Sequence, residues 1–359
     1  MAQPPIRINL FSDTVTKPGP EMRRAIAEAE VGDDMSGEDP TVNRLEAMCC
    51  ALFDKPAAVF ACSGTQANQM AIWSHCVAGD ELIAENTSHV VNYEAGAPAV
   101  LSGVCWRTVA GRGGMLDVDD LKHVPRPVDQ HFPRTRLLVL ENTTNLGGGR
   151  VYPPEQLRRV CRWAHQQGWR VHLDGARLMN AVVACGVPPA ELCRECDTVA
   201  MCFSKGLGCP MGSILVGDEP TIARARRARK IFGGALRQAG IVAAAAIYAL
   251  ENNVERLRLD HENARQFARD LAELPHVHID PADVETNLVF FDLDPQWGTA
   301  GELVARAREH GLKIGALGPQ RLRACTHLDV DRADLIEAVA ILRRCLEGND
   351  GGAGRTRTS

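Results

Sequence analysis

Lys205, in the run FSKGLGCPMG, and Asp174, thirty-one residues upstream in HLDGAR, are of the types that imine chemistry needs. A lysine at a strand end, in a glycine-rich turn, can form a Schiff base with a carbonyl cofactor, and a carboxylate placed before it can hold the protonated nitrogen of a pyridine ring. The pair points to pyridoxal phosphate. Each residue has an ordinary alternative: a solvated surface charge for Lys205, and the N-cap of a helix starting near Gly175 for Asp174.

A phosphate ester needs a cradle, and residues 62–68 (CSGTQAN) offer one. They follow the strand-like AAVFA and open a helical stretch, so the amides of Gly64 and Thr65, with the hydroxyls of Ser63 and Thr65, could bind a dianion. Ser-Gly-Thr before a helix is also a common capped turn without a ligand. The basic run RARRARKIFGGALRQ could add Lys230 and Arg237 to the same phosphate. Adjacent helix positions point in different directions, so some of its arginines must face solvent and only one or two can reach a phosphate.

Strands must deliver these groups. Residues 197–203 (DTVAMCF) read as a buried strand presenting Ser204 and Lys205 at its carboxyl end, the edge where ligands bind in open α/β sheets. Residues 171–174 (VHLD) read as another, with His172 and Asp174 on one face and His172 expected to hydrogen-bond Asp174. Strand-like runs at 57–61, 81–85, 136–140 and 213–216 alternate with helical ones such as 154–167. This argues for an α/β fold with a largely parallel sheet and helices on both faces. A long charged helical stretch over 252–274 reads as the bridge into a small C-terminal α+β domain, with strands over 287–293 and 322–328 and helices over 301–311 and 332–346. The expected organisation is an N-terminal arm and large domain over 1–251, a small domain over 252–347, and a disordered, glycine-rich polar tail over 348–359.

Apolar residues make up 45% of the 359, enough for a sizeable core. The formal net charge is -5 and no second basic tract exists, so a nucleic-acid partner is not expected. The apolar stretch 239–250 is far shorter than the ~20 residues of a membrane-spanning helix. The 13 cysteines are odd in number and scattered, and no secretory apolar segment precedes Leu10. They read as reduced thiols of a cytoplasmic protein. Cys193 and Cys196 form a lone CxxC without a second pair, so no metal is expected.

Taken in order, FSDTVTKP, VGDDMSGEDPTVNRLE, FACSGTQAN, ENTTN, HLDGARLMNA, SKGLGCPMGS, RKIFGGALRQAGIVAAA and RACTHLDV resemble the low-specificity L-threonine aldolases, over about residues 10–330. The resemblance implies the aspartate aminotransferase-like fold (fold type I), pyridoxal 5'-phosphate as cofactor, and cleavage of a β-hydroxy-α-amino acid such as L-threonine or L-allo-threonine to glycine and an aldehyde. It makes Lys205 the Schiff-base lysine, Asp174 the pyridinium partner, and Gly64 with Thr65 the phosphate cradle. Lys230 and Arg237 resemble further basic residues near the phosphate that can come from a neighbouring subunit, so a homo-oligomer, dimer or tetramer, is implied. Ser12, Arg177 and Arg323 resemble the groups that hold the amino-acid carboxylate, a task suited to the planar fork of arginine. His89, in ENTSHVVNYEAG, resembles the histidine stacked on the cofactor ring, and Glu94 matches a glutamate of unassigned role. Ordinary readings stay open: a capping or loop histidine for His89, a surface arginine for Arg177, and for Arg323 a cross-strand charge partner with Arg321 on the same face.

Two departures from the resemblance bear on substrate. Where the family reads ENTHN this chain has Thr144, and threonine cannot serve as a base near neutral pH. Where it reads VYGED, Met35 and Ser36 replace a valine and a tyrosine. The pocket for the β-substituent is therefore expected to differ, with weaker action on threonine or another preferred substrate. His89 becomes the expected acceptor of the hydroxyl proton, directly or through a water, since an imidazole pKa of ~6.5 lies near working pH. The same cofactor also supports β-elimination, transamination and racemisation. A binding protein without turnover is the reading from another class, and retention of Lys205, Asp174, Arg177 and Arg323 argues against it.

Overall fold

Strands buried on both faces read as continuous apolar runs, and such runs build the larger sheet of this protein. The computed structural model describes residues 5–347; the tail expected to be disordered, 348–359, lies outside the described residues. Seven strands stand side by side in the order Ala57–Ala61, Ser213–Gly217, Thr198–Cys202, Arg170–Gly175, Thr135–Glu141, Glu81–Glu85 and Cys105–Val109. Six run one way, and Ser213–Gly217 is antiparallel to both its neighbours. The largely parallel sheet expected from the sequence is thus present.

Alternate residues of one strand enter different cores, as the period of two requires. Ala58 and Phe60 pack in a core with Leu45, Phe53, Leu157 and Ile247, whereas Val59 and Ala61 pack with Met70, Ala71, Ile222 and Ala225. Helices Pro40–Phe53, Pro154–Gln166 and Gly240–Asn252 therefore line one face, and Gly64–His75 with Glu219–Ile231 the other. Phe60 is fully buried, and Phe60→Ala would cost about 3–5 kcal/mol.

The helix expected over 252–274 is present but starts later, at Leu257, and runs to Ala272. Gly240–Asn252 stops where the Asn253 amide donates to the Ala249 carbonyl (2.8 Å) and the Asn253 side chain donates to the Leu207 carbonyl (2.8 Å); the chain resumes as Leu257–Ala272. The compact units follow this break: one is Thr16–Leu257, the other the residues up to Val15 together with those from Arg258.

The second unit holds an antiparallel sheet in the order Gly315–Ala316, Arg321–Cys325, Leu288–Leu293, Val277–His278. Helices Ala300–Glu309 and Arg332–Glu347 pack on a core that includes Phe267, Phe291, Leu303, Leu322 and Ile341. The N-terminal arm, expected with the large domain, belongs here instead. Ile8–Asn9 pairs in parallel with Leu312–Lys313, the Leu10 carbonyl accepts from the Cys325 amide at 2.8 Å, and Ile8 and Leu10 are buried in this core. All 13 cysteines are free. Among the described residues no helix is long and apolar enough to cross a membrane.

Candidate active site

The carboxyl edge of the parallel strands collects ionisable groups. Glu141 and Asp174 end adjacent strands in register, and Cys202 ends the next one. Three residues on, the Lys205 carbonyl accepts from the Gly208 amide (2.9 Å) and the Thr16 hydroxyl (2.8 Å). Gly208 has φ +81°, a conformation that glycine adopts without a Cβ clash. The Lys205 charge bears on both the His89 imidazole and the Cys202 thiol.

Asp174 is 3% exposed. One of its oxygens accepts from the Ala176 amide at 3.0 Å, and the other from the Asn68 side-chain amide at 2.9 Å. The following helix begins only at Leu178, so the local bond closes a turn and does not cap that helix. His172 is not the direct partner of Asp174 that the shared strand face suggested. Its Nε2 faces the Asn68 Oδ1 at 3.1 Å and its Nδ1 faces the Thr198 hydroxyl at 3.0 Å. Two residues along a strand are about 6–7 Å apart, and helix Gly64–His75 sets Asn68 across that gap.

Asn68 also donates to Glu94 Oε1 at 2.8 Å, so one amide holds two carboxylates. Glu94 Oε1 faces His89 Nδ1 at 2.9 Å, and Glu94 Oε2 accepts from Gln69 at 2.5 Å. Burial opposes protonation of His89, but the Glu94 bond and the charges of Asp174 and Glu94 outweigh it, so the pKa is raised. The His89 amide donates to Glu141 at 2.8 Å, and the Asn145 amide donates to the other Glu141 oxygen at 2.5 Å. Burial and the nearby Asp174 charge push the Glu141 carboxyl up to about 7.

Sequence reasoning missed Asn68, Thr198 and Glu141. Asn68 lies four residues after Gly64, about one helical turn along the same helix, which was the available signal. Glu141 closes a run of five buried residues at a strand end.

Helix Gly64–His75 starts where strand Ala57–Ala61 ends. The Ser63 hydroxyl accepts from the Gln66 amide at 3.1 Å as N-cap, while the Gly64 and Thr65 amides stand among the helix-start donors that have no intrahelical acceptor. A Cβ on Gly64 would lie 2.5 Å from Cys202 Sγ, so glycine lets this turn lie against the end of strand Thr198–Cys202, two places along the sheet. Arg177 is buried, its Nη1 donates to Asn145 Oδ1 at 3.4 Å, and its charge bears on Cys202. It is not a wet helix arginine. Lys230 is exposed, and Arg237 is exposed and paired with Asp33 at 2.9 Å. The Thr144 hydroxyl, deeply buried, accepts from the Arg150 amide at 3.1 Å. Met35 and Ser36 lie in a single turn, Asp34–Ser36, capped by Asp33.

In the other unit, Arg323 Nη2 donates to the Phe11 carbonyl at 3.3 Å. The neighbouring Ser12 hydroxyl accepts from the Thr14 amide at 3.2 Å. Arg321 pairs with Asp292 at 2.6 Å in solvent. Of the two arginines, Arg323 is the one against the arm that carries Ser12.

An amine, a buried carboxylate, an imidazole beside it and a helix N-terminus with spare amides form a donor set that fits pyridoxal phosphate. A sequence model of the beta-eliminating lyase family matches residues 9–294. The low specificity L-threonine aldolase of Escherichia coli (strain K12) is 42% identical over 340 residues, which is 94% of this chain and 99% of that protein. The threonine aldolase of Leishmania major superposes with a TM-score of 0.80 at 19% identity, covering 94% of this chain and 99% of that one. The Sphingomonas wittichii serine palmitoyltransferase does so with a TM-score of 0.74 at 18% identity, over 95% and 88%. These two share the fold. With 42% identity across nearly its whole length, the chain belongs to the beta-eliminating lyase family and, within it, to the low-specificity L-threonine aldolases.

Proposed function

We propose that this chain is a pyridoxal 5'-phosphate-dependent aldolase that cleaves a β-hydroxy-α-amino acid, such as L-threonine or L-allo-threonine, to glycine and an aldehyde. The observation that carries the reading is the convergence of Lys205, Asp174 and His89 on one sheet edge, beside the helix that begins at Gly64. The near full-length likeness to a protein named low specificity L-threonine aldolase supports the substrate class.

Bound there, the cofactor would supply an electron sink for the pair left when the Cα–Cβ bond breaks. Lys205 holds it through the ε-amine. Asp174, steadied by Asn68, keeps a proton on the ring nitrogen. The Gly64 and Thr65 amides, at the positive end of a twelve-residue helix, bind the phosphate. Lys230 and Arg237 add positive charge, from this or a neighbouring subunit of a dimer or tetramer. Arg177, Ser12 and Arg323 are assigned to the substrate carboxylate on the family resemblance alone. His89 takes the hydroxyl proton at Nε2, because Nδ1 is committed to Glu94. Thr144, bonded to the Arg150 amide, supplies no base. The working compartment in this reading is the cytoplasm.

The test is product analysis with threonine, allo-threonine, phenylserine and serine. Glycine and aldehyde in equal amounts are expected. Keto acid or ammonia without glycine would replace the aldolase by an eliminating or transaminating enzyme on the same scaffold, and no product from any of the four would favour a binding protein.

A further inference from the structure

We infer that His75, Thr198, His172 and Asn68 form a one-way hydrogen-bond relay that makes Asn68 the positioning residue for both buried carboxylates of the site, Asp174 and Glu94. The inference rests on the reading of Asp174 as the partner of the cofactor ring.

The direction of the relay follows from which groups can only accept. Asn68 Nδ2 lies 2.8 Å from Glu94 Oε1 and 2.9 Å from Asp174 Oδ2. An ionised carboxylate has no proton to give, so the amide nitrogen, with its two protons, must face this pair. The Asn68 oxygen is then turned to His172 Nε2 at 3.1 Å, and a carbonyl oxygen also only accepts. The His172 proton therefore resides on Nε2. Burial holds the His172 pKa down to about 4, against the charge of Asp174, so near neutral pH the ring carries that one proton and Nδ1 is an acceptor. Nδ1 lies 3.0 Å from the Thr198 hydroxyl, which must donate to it. That leaves the Thr198 oxygen to accept from His75 Nε2, also 3.0 Å away. Burial likewise lowers the His75 pKa to about 4, so this ring too is a single-proton donor. Each proton points toward the carboxylates, an arrangement in which successive bonds polarise one another.

The alternative orientation is visible too. The Thr198 carbonyl is near the His172 ring and could take a proton from Nδ1. Nε2 would then be bare and face the Asn68 oxygen, two acceptors opposed in a buried site. Flipping Asn68 to cure this would turn its oxygen onto two carboxylates. The hydroxyl of Thr198, 0% exposed, thus selects the tautomer that keeps Asn68 donating.

Two measurements test the relay. Histidine ring 15N–1H correlation spectra of the wild-type protein at pH 7, with and without pyridoxal 5'-phosphate, should give Nε2–H tautomers for both His75 and His172; a proton on Nδ1 of either ring overturns the relay. In absorbance titrations with pyridoxal 5'-phosphate, Thr198→Val should weaken binding about tenfold, because a buried donor and acceptor lose their partner. Thr198→Ser, which keeps the hydroxyl, should bind within about threefold of wild type by the same argument. A packing role gives the reverse order, since valine matches threonine in volume and serine leaves a gap. That order, or equal binding by all three, overturns the inference. Failure of the wild-type protein to bind the cofactor would overturn the reading of Asp174, while the ring protons still judge the relay by themselves.

Discussion

His89 sits between two carboxylates, and this decides how it can act as a base. Burial works against its charged form, yet the Glu94 bond and the Asp174 charge raise the pKa. A base is useful only when neutral, so kcat/KM should rise with pH through a midpoint above the usual ~6.5 of histidine. Glu94→Gln removes the group that raises the pKa and should shift that limb to lower pH; a limb that does not move would remove His89 from the role. His89→Asn should lower kcat by about 10²–10⁴ with the cofactor spectrum retained. Lys205 and Asp174 were singled out by the residue types of the short runs around them, and His89 by the resemblance to the family. Asn68 was not, because its contact with Asp174 spans 106 residues and arises only where a helix crosses a strand.

At the scale of elements, the cradle depends on how closely the turn before helix Gly64–His75 lies against the end of strand Thr198–Cys202. Gly64→Ala would press a methyl into Cys202 Sγ, 2.5 Å from the ideal Cβ position. Overpacking of this kind costs about 1–3 kcal/mol, and pyridoxal phosphate affinity should fall accordingly in an absorbance titration. Adding Cys202→Ala should restore part of it. Unchanged affinity in the single variant would separate this turn from the phosphate. The strands of the large sheet were legible as apolar runs, but the reversed direction of Ser213–Gly217 was not drawn from them. The signal was loop length: the link from Cys202 to Ser213 comprises residues 203–212, shorter than the dozen or more residues of a parallel crossover. The break at 253–256 was hidden because Asn253 ends its helix through a contact with Leu207, distant in sequence.

Across the whole molecule, buried titratable groups shape stability against pH. His75, His172 and His261 are each lowered from 6.5 to about 4, chiefly by burial. Their contribution is present above about 6.5 and lost as pH falls toward 4, because the unfolded chain then binds more protons. Glu141, raised from 4.5 to about 7, acts in the opposite sense: its contribution is full below 4.5 and lost as pH rises through 7. Three groups outweigh one, so urea midpoints of the cofactor-free protein should climb from pH 4.5 to 6.5 and level off near 7. A flat or falling profile over that interval would contradict the burial of these imidazoles. At this scale the division expected near residue 252 came from length and the run of elements, and the compact units divide at Leu257. The place of the N-terminal arm was not legible, since Ile8–Asn9 finds its partner strand at Leu312–Lys313, at the other end of the chain.

The central claim is that Lys205 carries the cofactor. The protein incubated with pyridoxal 5'-phosphate, reduced with borohydride and digested should yield one pyridoxyl-labelled peptide, with the label on Lys205, and Lys205→Ala should yield none and lack the visible absorption band. Label on Lys17, Lys55 or Lys230, or an unchanged band in the Lys205→Ala protein, would contradict the account.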